Sequence, residues 1–200
     1  MKKIPLFLIY SRLVVGLGII PLSICKVDNY KIYAVILLTV GLLSDVFDGI
    51  IARKLNVSSE TLRRLDSSID QIFFICVAVA TYIQCPSFFK ANALKLVILL
   101  SIEGLTYVVS FIKFKKEVAT HSLGAKFWTL FLFATLVEVI LSCNSVFLFN
   151  VCFWLGLITR FEIIGIILIL GKWTNDVPTI FHAVQLRKGK EIKRNKLFNG

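Results

Sequence analysis

The sequence predicts an all-α integral membrane protein, a bundle of six transmembrane helices with both termini in the cytoplasm. The first observation behind this fold class is composition, because 57% of the 200 residues are hydrophobic and the mean hydropathy is +0.82. A soluble domain of this length does not need so much apolar sequence. The second observation is that several apolar stretches reach about 20 residues, the length that spans a bilayer as a helix. The third is that lysines and arginines are concentrated in alternate loops, which indicates how the helices are oriented.

Six apolar stretches define the spans in chain order. The first begins near Pro5, which suits a first helical turn because it lacks an N–H, and Pro21 should end or kink it. The second and third contain the apolar runs 32–43 and 72–83, and three further apolar stretches follow, separated by short loops. The predicted spans are 4–24, 32–55, 62–84, 91–114, 125–143 and 147–170.

The spans divide the chain into a membrane domain and a tail. We expect residues 1–171 to form the membrane domain and residues 172–200 to form a basic cytoplasmic or interfacial tail. The tail contains a short apolar patch, 177–184, which either lies along the membrane surface or caps the bundle.

The basic residues orient the bundle. Seventeen of the 23 lysines and arginines lie before span one, at or near the facing ends of spans two and three or of spans four and five, or in the tail, against four at or near the span ends that face the alternate loops. Because basic loops tend to stay in the cytoplasm, we expect both termini and the loop after span two on that side of a bacterial inner (plasma) membrane. The net charge of +11 then reflects orientation and contact with anionic lipid. No separate basic domain is present in the sequence, so we expect no nucleic-acid partner.

The cysteines do not indicate a metal or redox motif. The five cysteines include no CxxC pair, and they form no Cys/His cluster with the spacing of a zinc site. We therefore expect most of them to be small apolar packing residues.

Four aspartates lie at the rims of apolar spans, where carboxylates are costly to hold and are functional candidates by default. Asp45 and Asp48 follow the apolar part of span two, and Asp66 and Asp70 precede that of span three. A helix turns by about 100° per residue, so each pair shares one face of its own helix. Two antiparallel helices joined by a short loop would bring the four carboxylates together.

Such a group of carboxylates indicates a site for a hard divalent cation. Without a cation the four charges would repel one another, and an all-oxygen ligand set suits Mg²⁺, Mn²⁺ or Ca²⁺ rather than zinc or copper. Gly49 and Ala52 fall on the same helix face as Asp45 and Asp48, and their small size leaves space for a ligand against the backbone. A phosphate is the expected ligand, because Mg²⁺ usually shares its coordination shell with phosphates.

Two other interpretations of the aspartates compete with this site. A divalent-cation transporter or channel could use intramembrane carboxylates as an ion path. Its ligands should lie near mid-membrane, however, whereas Asp45 is only about 12 Å of helix from loop residue Arg53. The other interpretation is a set of plain salt bridges, which would join Asp45 or Asp48 to Arg53, and Asp66 to Arg63 or Arg64. Such salt bridges explain neither the paired spacings of the aspartates nor the small residues on the same helix face.

The aspartates belong to a pattern that resembles a known family signature. It spans 26 residues and reads Asp45-x-x-Asp48-Gly49-x-x-Ala52-Arg53, then Asp66-x-x-x-Asp70. This pattern is similar to the signature of the CDP-alcohol phosphatidyltransferases, except that Leu62 stands where that family has a glycine. The resemblance implies a six-helix membrane enzyme of phospholipid synthesis with its active site at the cytoplasmic face.

The resemblance also implies roles for individual residues. One or two Mg²⁺ or Mn²⁺ ions would be held by Asp45, Asp48, Asp66 and Asp70, and Asp70 would in addition accept the proton of an alcohol. The donor would be CDP-diacylglycerol, and CMP would leave. The residues implied in binding the CDP-lipid are Asp45, Gly49, Ala52, Arg53 and Ser59.

The alcohol acceptor is less well indicated. Glycerol 3-phosphate is the first expectation because it is frequent in the family, and inositol phosphate, inositol, serine or another polyol stays open. Lys113, Lys115 and Lys126 either bind an anionic acceptor or only orient the helices. Arg160 either pairs with a glutamate inside the bundle, the candidates being Glu103, Glu138 and Glu162, or lines an acceptor pocket. A homodimer is a further possibility implied by the family.

Overall fold

The computed structural model describes residues 4–25, 27–55, 59–116, 118, 122–190 and 192, apart from the side chains of Arg53 and Glu60. All the regular elements in these ranges are helices. In chain order they are α1 (Ile4–Ile24), α2 (Tyr30–Lys54), α3 (Glu60–Gln84), α4 (Pro86–Ala91), α5 (Ala93–Phe114), α6 (Leu123–Ser142), α7 (Phe147–Ile169) and α8 (Ile180–Arg187).

Six of these helices, α1, α2, α3, α5, α6 and α7, are long and apolar enough to cross a membrane. The prediction of six spans is therefore confirmed, and their orientation stays a prediction. The observed ends of some helices differ from the predicted ends of the spans, because hydropathy alone does not determine where a helix begins or ends. Helix α3 begins before its apolar run because the Ser59 hydroxyl accepts a hydrogen bond from the Leu62 N–H at 3.2 Å, a capping contact that stabilises a helix N-terminus. The short helix α4 includes Ala91, the first residue of the predicted fourth span, and the observed fourth long helix, α5, begins at Ala93.

The chain forms two compact units. The first contains residues 1–91 and 136–145, and the second contains residues 92–135 and 146–200. Helices α1, α2 and α3 belong to the first unit, and α5, α7 and α8 to the second.

In the first unit, two glycines let α1 and α2 pack closely against Phe73 of α3. A Cβ added to Gly16 would lie 3.2 Å from the Phe73 Cα, and one added to Gly41 would lie 2.1 Å from the Phe73 Cζ. Phe73 is only 1% exposed. Small residues at such contacts allow helices to approach closely within a membrane. Gly16 is one turn beyond Arg12, so this packing also holds the third turn of α1 next to α2 and α3.

Within the first unit, a disulfide joins Cys85, which follows α3, to Cys143, which follows α6. The expectation that most cysteines are plain packing residues is wrong for this pair. Two cysteines 58 positions apart carry no local motif, so the sequence did not indicate their pairing. Cys76 and Cys152 are buried and free, as expected, and Cys25 is free and exposed.

In the second unit, the apolar patch of the tail packs against the end of α7. Val177 and Ala183 are buried in a cluster with Ile166 and Leu170. Phe181, on α8, is 81% exposed. The buried residues of the patch thus pack against α7, and its position relative to the membrane surface stays a prediction.

Candidate active site

A buried arginine lies at the centre of the aspartate cluster. Arg12, in the third turn of α1, is 1% exposed and forms ion pairs with all four aspartates. Its Nη1 atom is 3.2 Å from Asp45 Oδ1 and 3.3 Å from Asp66 Oδ1, and it also pairs with Asp70 Oδ1. The Nη2 atom pairs with Asp48 Oδ2. One side chain from α1 thus connects carboxylates from α2 and α3.

Three of the four aspartates form a group that could hold a metal ion. Asp45, Asp48 and Asp66 each offer a carboxylate oxygen, and these atoms lie within 4.8 Å of one another. The side chain of Asp48 is 3% exposed, whereas those of the other two are partly accessible. Asp70 is one turn beyond Asp66 on α3 and contacts the same guanidinium. An all-oxygen group of this kind fits a hard divalent cation such as Mg²⁺ or Mn²⁺.

The helical period explains why the carboxylates of α2 face inward. Asp48 and Ala52 are buried and Gly49 is half-buried, while Val46 and Phe47, on the opposite side of the helix, are exposed. This confirms the predicted common face of the aspartates and the small residues. The Ser44 hydroxyl, next to this face, donates to the Gly41 carbonyl at 2.8 Å and lies 3.4 Å from the Arg12 Nε.

The other residues implied in CDP-lipid binding lie between the two aspartate pairs. Ser59 is exposed and caps α3, and Leu62, at the position of the family glycine, supplies the N–H that Ser59 accepts. Leu62 is therefore accommodated in the first turn of a regular helix. The backbone of Arg53 belongs to α2, and its side chain lies outside the described part of the structure.

The second unit contains the predicted ion pair of Arg160. Its Nε atom pairs with Glu103, and its guanidinium carbon lies 4.8 Å from the ring centre of Trp128. Of the other two candidate glutamates, Glu138 accepts a hydrogen bond from the Ser145 hydroxyl at 2.5 Å. The pairing interpretation of Arg160 is confirmed, and a role in acceptor binding stays a prediction.

The three lysines suggested for the acceptor lie at different positions of the second unit. Lys113 Nζ donates to the Leu168 carbonyl at 2.6 Å. Lys115 ends α5 in a left-handed conformation, with a φ of 54°, and Lys126 lies in the first turn of α6. Their participation in acceptor binding also stays a prediction.

Arg12 is the site residue that the sequence analysis did not assign. The salt-bridge alternative considered only arginines near the aspartates in sequence, whereas the structure supplies one from a different helix. A usable signal was present, because an arginine within an apolar span usually faces the bundle interior and pairs with an acidic residue.

The comparisons with known proteins agree with the signature. Residues 2–162 match the family model described as CDP-alcohol phosphatidyltransferase. The matched range contains Arg12, all four aspartates and the helices that position them. No curated protein and no solved structure gives a significant match.

Proposed function

Because the chain belongs to the CDP-alcohol phosphatidyltransferase family, we propose that its aspartate site transfers a phosphatidyl group from CDP-diacylglycerol to an alcohol and releases CMP. The family consists of phosphotransferases for substituted phosphate groups that act in phospholipid synthesis, which favours an enzyme over a cation transporter. The observation that carries the proposal is the convergence of Asp45, Asp48, Asp66 and Asp70 from two helices on one position.

A divalent cation is the expected cofactor. The family is generally dependent on divalent metals, and the three-carboxylate group could hold one. We propose that Asp45, Asp48 and Asp66 are ligands of Mg²⁺ or Mn²⁺ and that Asp70 is a further ligand. When bound, the cation neutralises charge on the diphosphate of the donor and on the departing CMP.

Asp70 is the proposed proton acceptor. It lies outside the three-carboxylate group and is partly accessible, which leaves it available to a hydroxyl. It takes the proton of the acceptor alcohol, whose oxygen forms a bond to the phosphorus attached to diacylglycerol. The bond between that phosphorus and the oxygen of CMP breaks, and the electron pair leaves with CMP.

The face of α2 next to the aspartates is the proposed contact for the nucleotide. Gly49 and Ala52 have almost no side chain, so the nucleotide can approach the helix backbone there, beside Asp45. Arg53 and Ser59 follow this face in the sequence, and their positions match those that contact the CDP-lipid in the family.

The acceptor and the surroundings of the site are proposed on less specific grounds. Glycerol 3-phosphate is the first candidate acceptor, followed by inositol phosphate, inositol, serine or another polyol. Lys113, Lys115, Lys126 and Arg160 are the candidate acceptor contacts. The distribution of basic residues supports a site at the cytoplasmic face of the plasma membrane.

An assay of the purified protein tests this function directly. Labelled CDP-diacylglycerol is incubated with Mn²⁺ or Mg²⁺ and a panel of alcohols, and we expect CMP release that requires both the metal and one acceptor. Asp70→Asn should lower the rate by roughly 10²- to 10⁴-fold, the usual contribution of a general base. Asp28→Asn, an exposed aspartate after α1, is the matched control and should leave the rate unchanged.

Two outcomes would count against the proposal. Full activity of the Asp70→Asn protein would remove Asp70 as the proton acceptor. If no alcohol in the panel yields CMP while the protein carries Mn²⁺ into liposomes, the transporter interpretation would replace the enzyme.

A further inference from the structure

Arg12 forms ion pairs with every aspartate of the site, and the proposed reaction does not use it. We infer that Arg12 is an internal counter-ion that holds the carboxylates together in the metal-free protein and gives up these contacts when a divalent cation binds. The inference rests on the proposed metal site. It makes Arg12 a positioning residue, since it acts through the four aspartates.

The charge of the site requires a counter-ion. Asp48 is almost completely buried, and its carboxylate shares a group within 4.8 Å with those of Asp45 and Asp66. Carboxylates this close repel one another, more strongly in an apolar surrounding than in water. The buried guanidinium of Arg12 offsets that repulsion at the point where the carboxylates meet.

The geometry of the guanidinium suits several carboxylates at once. It presents five N–H donors in a rigid planar fork, whereas a lysine presents one compact charge. Nη1 of Arg12 pairs with Asp45, Asp66 and Asp70, while Nη2 pairs with Asp48. The two terminal nitrogens of one fork thus share four carboxylates from two helices.

A metal ion and the Arg12 guanidinium compete for the same carboxylates. Mg²⁺ binds its oxygen ligands at about 2.1 Å in a nearly octahedral shell. Asp45, Asp48 and Asp66 would have to direct their oxygens to that ion, and these are the groups that now accept from Arg12. Two cations in direct contact with one small group of oxygens would also repel each other, so binding of the metal favours withdrawal of the guanidinium.

Thermal unfolding in detergent without substrate tests the inference. The proteins are wild type, Arg12→Gln, Arg12→Lys and, as the matched control, Arg160→Gln, which removes a largely buried arginine paired with Glu103 in the other unit. Each is measured in EDTA and in saturating Mn²⁺. We expect Arg12→Gln to lower the Tm by roughly 10 °C in EDTA, as for a broken buried ion pair, and by only about 2 °C in Mn²⁺.

The other variants define the expected pattern. Arg12→Lys should show an intermediate loss in EDTA, because it keeps the charge without the fork. Arg160→Gln should lose the same amount in both buffers. A Mn²⁺ titration followed by electron paramagnetic resonance should show binding roughly 100-fold tighter in Arg12→Gln than in wild type, because a Tm loss that is about 8 °C smaller in Mn²⁺ than in EDTA corresponds to about 2.7 kcal/mol of tighter binding.

The outcomes separate the inference from the metal site. If Mn²⁺ raises the Tm of wild type but Arg12→Gln loses as much in Mn²⁺ as in EDTA, Arg12 holds the site in the loaded protein and the inference is wrong. The same conclusion follows if Arg12→Gln is recovered unfolded even when prepared in Mn²⁺. If Mn²⁺ neither binds to wild type nor raises its Tm, the metal site fails and the inference fails with it.

Discussion

Arg160 resembles Arg12 in being an arginine within a long apolar helix that is ion-paired with an acidic residue of another helix. All other basic residues of the sequence lie near the ends of the spans or in the loops and tail. Removing one partner of such a pair leaves an uncompensated charge in an apolar environment, while removing both leaves none. The two partners should therefore depend on each other for their contribution to stability.

A double-mutant cycle on Arg160 and Glu103 measures this dependence. We expect each single change, Arg160→Gln or Glu103→Gln, to lower the free energy of unfolding by roughly 3 kcal/mol. The double variant should lose at least about 1 kcal/mol less than the sum of the two, in urea or thermal unfolding. Strict additivity would show that the contact contributes nothing measurable.

At the scale of helices, the close packing of α1 and α2 against Phe73 positions the site. Gly41 is one turn before Asp45, Gly16 is one turn after Arg12, and Phe73 is three residues after Asp70. The contacts of both glycines with Phe73 therefore lie directly beneath the group of charges. Any added bulk at this level should move the helices apart where the carboxylates need to meet.

A comparison of Gly41→Ala with Gly18→Ala tests this role of the packing. A Cβ at Gly41 would overlap the Phe73 ring, while one at Gly18 has no atom within 4 Å. Alanine gains about 1 kcal/mol over glycine in a helix, so Gly18→Ala should be neutral or stabilising. Overpacking costs about 1–3 kcal/mol, so Gly41→Ala should lower the Tm by several degrees and reduce CMP release. An equal Tm for the two variants would contradict this explanation.

The helices illustrate how far the sequence alone determines this structure. Apolar length predicted all six long helices, and the helical period predicted the inward face of Asp48 and Ala52. The start of α3 depended instead on the Ser59 hydroxyl, which accepts a hydrogen bond from the Leu62 N–H. The pairing of Arg12 with the aspartates depended on which turn of α1 packs beside α2 and α3. The hydropathy pattern of α1 does not predict how far α1 is shifted along those helices.

For the whole molecule, the described residues form two units with different polar interiors. The first unit contains Arg12 and the four aspartates, and the second contains the Arg160–Glu103 pair and the candidate acceptor lysines. The long-range covalent link of the first unit, between Cys85 and Cys143, could not be predicted because pairing at a distance depends on the packed helices.

Counting thiols checks that link. Unfolded protein treated with a maleimide-coupled polymer should react at three cysteines without reductant, Cys25, Cys76 and Cys152, and at five after reduction. Cys85→Ser combined with Cys143→Ser should lower the free energy of unfolding by up to about 4 kcal/mol on a chain-entropy argument. Reaction at five cysteines before reduction, in protein purified without reductant, would show that the bond does not form.

The Cys85–Cys143 bond also distinguishes the two sides of the membrane. Disulfides persist in oxidising compartments and are rare in the cytosol. About 28 Å of helix separates Asp66 from Cys85 along α3, close to the thickness of the hydrocarbon core. If Cys85 faces the oxidising side, the aspartates face the side where thiols stay reduced. We therefore expect the disulfide to indicate the same orientation as the distribution of lysines and arginines, with the aspartate site on the cytosolic side.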